Sequence, residues 1–377
     1  MKKFLVFLCS VSFLLAGCDS FEAYRSRTIG VRVTAGETKG TVTTTSSITK
    51  AGAFCMCSYV ADQYFVGEGE PLGEPGIYFG SLDATSANVV QNAGAWEISG
   101  APTWIDGVTM RFWSWYPVSV IGTRTISGPV DGGGAGSFAG DTLAFSYALP
   151  TADGVSDADD AASEDLLFAF TKADYDEDNT SIDVTFHHAL AQVRFCVSVN
   201  DGTFDAHSLG IKNISITNLA TSGSCKFSDD GLAANNSYSF NTGEDSYDQF
   251  VWTGQSGSAT IGQDYDVADF LSSTLTGWAS GSYSKDGHSY SLLTNTNVFF
   301  MIPQTLSGNT GAADDNKISI DFIFGEDTIT KTVTLPGDTW RADHYYTYKI
   351  KATTVGRDID MSINLVGWSD RDDKLFI

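Results

Sequence analysis

Short runs of alternating apolar and polar residues fill most of this chain, separated by clusters of Gly, Asp, Asn and Ser. Alternation with a period of two puts one set of side chains on a buried face and the other in water, so each run predicts a strand. Ile318, Ile320, Phe322 and Phe324 alternate with Ser319, Asp321 and Ile323. Tyr346, Tyr348 and Ile350 alternate with Thr347, Lys349 and Lys351, and Ile359, Met361, Ile363 and Leu365 with Asp360, Ser362 and Asn364. Each of these runs predicts one buried and one wet face. Ala189, Ala191, Val193, Phe195, Val197 and Val199 predict a longer strand, and Phe186, of the opposite parity, predicts a bulge near His187-His188. Further strands are predicted near 54–60, 108–116, 142–147 and 166–170. No segment holds an amphipathic helical period over three turns. The chain has 38 glycines against 8 prolines, which suits many tight turns. Several half-buried antiparallel strands imply an all-β sandwich.

The acidic stretches Asp153–Asp165 and Asp174–Asp178 flank the apolar run Leu166–Phe170 and mark a boundary near residue 180. The expected division is 1–17 signal peptide, 18–39 polar leader or tether, 40–180 first β-sandwich domain and 181–377 second β-sandwich domain. Residues 19–52 are rich in Thr, Ser and Gly and cannot build a core alone. Within them Val31, Val33, Val42 and Ile48 are sparse apolar residues among good strand formers, so 28–50 is expected to hold a first strand that pairs by backbone and buries little.

The N-terminus sets the compartment. Lys2 and Lys3 precede an apolar run, Phe4–Leu15, broken only by Ser10 and Ser12. Leu15, Ala16 and Gly17 then lead into Cys18. This is a lipoprotein signal peptide, with Leu15-Ala16-Gly17 as the peptidase recognition residues and Cys18 as the lipidated residue. Three fatty acyl chains, palmitate among them, would hold the rest at a membrane surface, since about two already suffice. The formal charge of the whole chain is −24, and loss of the two signal-peptide lysines deepens it. Such a surface repels nucleic acid.

Candidate chemistry is sparse. Asp174, Asp176 and Asp178 open like a calcium loop, but Asn179 stands where glycine is needed and Thr185 where glutamate is needed. The histidines at 187, 188, 207, 288 and 344 have no H-E-x-x-H spacing, and no G-x-S-x-G elbow occurs. Gly134–Ala139 fits G-x-G-x-x-A loosely, in a Gly-rich loop with no helix after it. Cys55 and Cys57, two apart on a strand, would have Cα atoms roughly 6.5–7 Å apart, at the limit for a disulfide, so buried free thiols are expected. A Cys196–Cys225 bond is left open. No enzyme, metal or cofactor is expected. Trp96, Trp104, Trp113 and Trp115 cluster in the first half. Core packing is the expected role of these rings, and an exposed platform for stacking sugars is the alternative.

Read together, these pieces resemble the fimbrillin family, the structural subunits of type V pili. The resemblance runs through the lipobox, Ala53–Tyr59, Phe112–Pro117, Asp165–Ala169, Phe186–Ala191, Phe300–Gln304, Trp340 with Tyr345–Tyr348, and Gly367-Trp368. It implies two tandem transthyretin-like sandwiches and export as a lipoprotein to the outer membrane and fimbrium. It also implies N-terminal processing by an arginine-specific protease, for which Arg25, Arg27 and Arg32 are the candidates. The implied partners are other pilus subunits, joined by strand addition to an opened sheet edge. The chain ends nine residues after Trp368, a short donor tail, which implies a tip, accessory or anchor subunit. The rival reading is a surface lipoprotein that binds glycans through its tryptophans, and no pattern names a host ligand.

Overall fold

The structure is a computed structural model describing residues 27–34, 48, 51–64, 71–120, 122–130, 141–149, 165–200, 209–233, 247–264, 283–285, 288–292, 299–308, 310–324, 326–355 and 358–366. Apart from a helical turn at Ile48, closed by Gly52 N–H donating to the Ile48 carbonyl at 2.8 Å, they form strands, turns and irregular loops. The all-β expectation therefore holds.

The first eleven strands are β1 (Gly30–Thr34), β2 (Ala53–Val60), β3 (Gly76–Phe79), β4 (Val89–Asn92), β5 (Ala95–Ile98), β6 (Met110–Tyr116), β7 (Thr123–Val130), β8 (Thr142–Ala148), β9 (Leu167–Ala173), β10 (Ser181–Thr185) and β11 (His187–His188). Then come β12 (Ala191–Asn200), β13 (Leu209–Leu219), β14 (Ser222–Ala233), β15 (Tyr247–Ser256), β16 (Ala259–Asp264), β17 (Tyr283–Lys285) and β18 (His288–Leu292). The last five are β19 (Phe299–Met301), β20 (Lys317–Phe324), β21 (Asp327–Thr334), β22 (Tyr345–Val355) and β23 (Asp358–Val366).

Nine strands form one sheet in the order β10-β1-β5-β4-β2-β6-β9-β11, with β3 also on β2. This sheet curls around its own core. Ile29 and Val31 of the leader, Phe54 and Met56 of β2, Phe112 of β6, and Ile182 and Val184 of β10 share one apolar cluster. The curl closes where Thr171 Oγ1 donates to the Asp183 carbonyl at 2.5 Å, joining β9 to β10.

The other face of β2, β6 and β9 is also buried. Cys55, Cys57, Trp113, Trp115, Phe168 and Phe170 belong to a second cluster that extends through the C-terminal half to Trp340 and Tyr348. A four-stranded sheet, β15-β14-β8-β7, covers that face, and Phe145 of β8 stacks on Phe168 of β9 at 4.3 Å. The C-terminal sandwich has β17-β18-β12-β22-β23, with β19 on β12, as one layer and β16-β13-β20-β21 as the other.

The sheets do not part at residue 180. Strands β10 and β11, at 181–188, pair with β1 and β9 of the first half. Strand β8 pairs with β14, Phe145 opposite Cys225. The cause is a bent ribbon. The β13–β14 segment and the β15–β16 segment pair on both sides of a corner at Ala220-Thr221 and Gly257-Ser258. Gly257 makes the corner possible. Its φ is +88°, and a Cβ there would lie 2.2 Å from Thr221 Oγ1.

Two expectations are corrected. No bulge joins 186 to 189–199 in a single strand. The chain changes sheets instead, with Phe186 in the first core and Ala189 in the second. The β22 strand has no wet face at its start, since Thr347 and Lys349 are buried with Tyr346, Tyr348 and Ile350. That strand lies between β12 and β23, pairing parallel to the first and antiparallel to the second.

Candidate functional site

The leader strand is the site the sequence pointed to. Its entry is pinned by three backbone bonds: Trp104 N–H donates to the Arg27 carbonyl at 2.8 Å, Ile29 N–H to the Pro102 carbonyl at 2.9 Å and Gly30 N–H to the Thr180 carbonyl at 3.0 Å. From Gly30 to Thr34 the strand runs parallel to Ser181–Thr185 of β10. On its other side Val31 pairs antiparallel with Trp96 of β5. The leader thus fills a slot inside a sheet and does not lie on its outer edge.

The expectation that this strand buries little is corrected. Ile29 and Val31 are buried, Ile48 is fully buried in the same core, and Val33 packs against it. At about 1.5–3 kcal/mol for each fully buried aliphatic side chain, the leader contributes several kcal/mol to the first core. Removal opens that core unless another apolar strand enters.

The three candidate processing arginines stand differently. Arg25 lies outside the described residues, as do the signal peptide, Cys18, Val42, the Gly134–Ala139 loop and the tail after Val366. Arg27 forms an ion pair with Asp106 at 2.5 Å, and its guanidinium lies 5.5 Å from the Tyr175 ring centroid. Arg32 is within β1, with Nε and Nη2 donating to Asp183 Oδ1 and Oδ2 at 2.7 and 3.0 Å. None of the three follows β1. A cut after Arg25 or Arg27 leaves the strand in place, and a cut after Arg32 divides it. In the sequence, the basic residues between β1 and β2 are Lys39 and Lys50, a placement that composition alone did not reveal.

Trp96, Trp104, Trp113 and Trp115 form no exposed platform. Trp104, Trp113 and Trp115 are buried. Trp96 is half-buried, with its ring centroid 5.2 Å from that of Phe54, and the Trp104 indole N–H donates to the Thr180 carbonyl at 2.9 Å. Cys55, Cys57 and Cys225 are free and buried. Burial pushes the Cys55 thiol up to about 11 and that of Cys57 to about 12, so both stay protonated and unreactive. The Cys196 side chain lies outside the described residues. Among the described residues no group of three or more His, Cys, Asp or Glu is placed to hold a metal.

One buried titratable pair lies where the halves meet. His188 Nδ1 contacts Asp165 Oδ2, and the backbone N–H of His188 donates to Asp343 Oδ1 at 3.4 Å. Burial alone would lower the His188 pKa, but attraction and a hydrogen bond from Asp165, with a further pull from Asp343, outweigh it and the repulsion of His187, and the net shift is upward. A folded-state value above the unfolded value gives stability that is complete below about pH 6.5 and is lost as pH rises through the folded value. The urea midpoint is expected to fall as pH rises above about 6.5. His188→Gln should flatten that profile, and equal slopes for both proteins would refute the assignment.

The described fold and site define an all-β protein whose N-terminal leader completes an interior position of its own sheet. The chain belongs to the fimbrillin-like family, whose profile matches residues 80–368. It is 22% identical to the fimbrium subunit Fim1C of Phocaeicola vulgatus over 406 residues, covering 99% of this chain and 98% of that protein. A crystal structure of a fimbrial protein from Bacteroides vulgatus aligns at TM-score 0.45 with 18% identity, over 91% of this chain and all of that one.

Proposed function

We propose that this chain is a structural subunit of a cell-surface fimbria, joined to its neighbours by exchange of the strand in the β1 slot. Membership of the fimbrillin-like family supports the class, and the relative Fim1C is named a fimbrium subunit. The observation that carries the mechanism is the position of β1, an N-terminal strand held between β10 and β5. A segment near a chain end can leave such a slot without unthreading the fold. The slot then offers two rows of backbone donors and acceptors to a strand from another subunit. Repeated head to tail, that contact builds a filament. Cys18 would carry the lipid anchor of the exported precursor to the outer membrane, and an arginine-specific cut at Arg25 or Arg27 would detach it while β1 stays seated. Release of β1 as a unit needs a cut after Thr34.

The test uses the mature chain with a recognition site for a sequence-specific protease placed between Thr34 and Ile48. After cutting, the leader fragment is expected to dissociate and the remainder to form oligomers in sizing and electron microscopy. The uncut chain should stay monomeric. A cut chain that keeps its leader and remains monomeric at high concentration would refute the exchange.

A further inference from the structure

The β1 slot carries side-chain rules of its own, and their use depends on the strand-exchange reading above. Ile29 and Val31 face the core, and Gly30 and Arg32 take the opposite parity. At position 30 the slot is narrow. A Cβ on Gly30 would lie 2.4 Å from Ser181 Oγ and 3.3 Å from Ser181 Cβ. The hydroxyl can turn aside, but the Cβ cannot. At position 32 the slot is acidic. Asp183 faces the strand in register with Arg32 and holds both ends of its guanidinium fork, at 2.7 and 3.0 Å. When β1 leaves, Asp183 loses this cation in a chain whose formal charge is already −24.

We propose that the emptied slot selects a strand of another fimbrial subunit that carries a lysine or arginine opposite Asp183 and a glycine opposite Ser181, set between apolar residues. The apolar positions supply affinity. The cation and the glycine fix register, because a one-residue slip would turn the basic residue into the core and bring an apolar side chain against Ser181. Asp183 is then a specificity-determining residue, and strands with an acid at that position are rejected by like charge.

The experiment uses the cut chain described above and three fluorescent peptides: residues 27–34, the same peptide with Arg32→Glu, and the same with Gly30→Val. The parent peptide is expected to enter the slot. The Arg32→Glu peptide should bind about fivefold more weakly, as expected for reversing one exposed charge pair. Its binding should recover on a chain carrying Asp183→Lys, where the parent peptide weakens instead. Asp183 is half exposed, so this variant should fold, which circular dichroism checks. The Gly30→Val peptide should bind more weakly to both chains. Equal binding of the parent and Arg32→Glu peptides to both chains would overturn the charge rule and leave strand exchange standing. If no peptide enters a fully cut chain, strand exchange fails and this selectivity fails with it.

Discussion

Replacing Asp141 by alanine should destabilise the protein by about 3–5 kcal/mol, the usual cost of removing one partner of a buried ion pair. Asp141 is nearly inaccessible just before β8, and its carboxylate meets Arg111 of β6 and Lys172 of β9. Arg111 and Lys172 are register neighbours on adjacent strands, so without Asp141 two like charges face each other, one of them buried. Burial raises the Asp141 pKa, but hydrogen bonds and attraction from Arg111 and Lys172 outweigh it and hold the carboxyl below its ordinary value. The sign follows: a depressed folded-state value gives stability that is present above about pH 3.9 and is lost as pH falls through the folded value. Asp141→Ala should therefore lower the urea midpoint at neutral pH and lose part of the acid-dependent slope. Asp141→Asn, which keeps an acceptor without the charge, should fall between the two. An unchanged midpoint in Asp141→Ala would show that the cluster holds nothing together.

The same cluster ties a sheet of the first half to a hairpin that pairs with the second, and this connection was hidden in the sequence. Alternation reports which face of a strand is wet and is silent on which strand lies beside it. The runs at 54–60, 108–116, 142–147 and 318–324 were therefore legible as strands, while the β8–β14 pairing was not. Parallel neighbours were harder still. The β12–β22 pairing spans residues 192 to 353, with no local turn to signal it. The sequence pattern at Thr347 and Lys349 suggested a wet face, but both side chains are buried, and alternation does not report how both faces of a strand are covered. The leader strand was legible from its Val and Thr content, but its place inside the sheet was not, since that depends on β10 across an interval of about 150 residues. The run at 111–117 did carry a signal. Rings of both parities on one strand require burial on both faces, and the two cores meet there.

Those rings give the second large effect. Trp113→Ala should cost about 3–5 kcal/mol, the range for deleting a large aromatic side chain from a core. Trp113 is fully buried on the β6 face covered by the β15-β14-β8-β7 sheet, with its ring centroid 5.4 Å from Phe170 and 6.0 Å from Tyr59. Its indole N–H has no hydrogen-bond partner among the described residues, so its contribution is apolar packing and carries an unpaired donor. Trp113→Phe, which keeps an aromatic ring but leaves part of the indole volume empty, should therefore recover part of the loss. This pair of variants also separates the two functional readings. A sugar-stacking ring is exposed, and its removal would abolish glycan binding while leaving the denaturation midpoint in place. A ring packed inside a core does the reverse. Chemical denaturation of the two variants, run beside a glycan-array measurement on the parent chain, decides between them. If Trp113→Ala keeps the parent midpoint, the buried-core assignment is wrong and the glycan-binding lipoprotein becomes the better account.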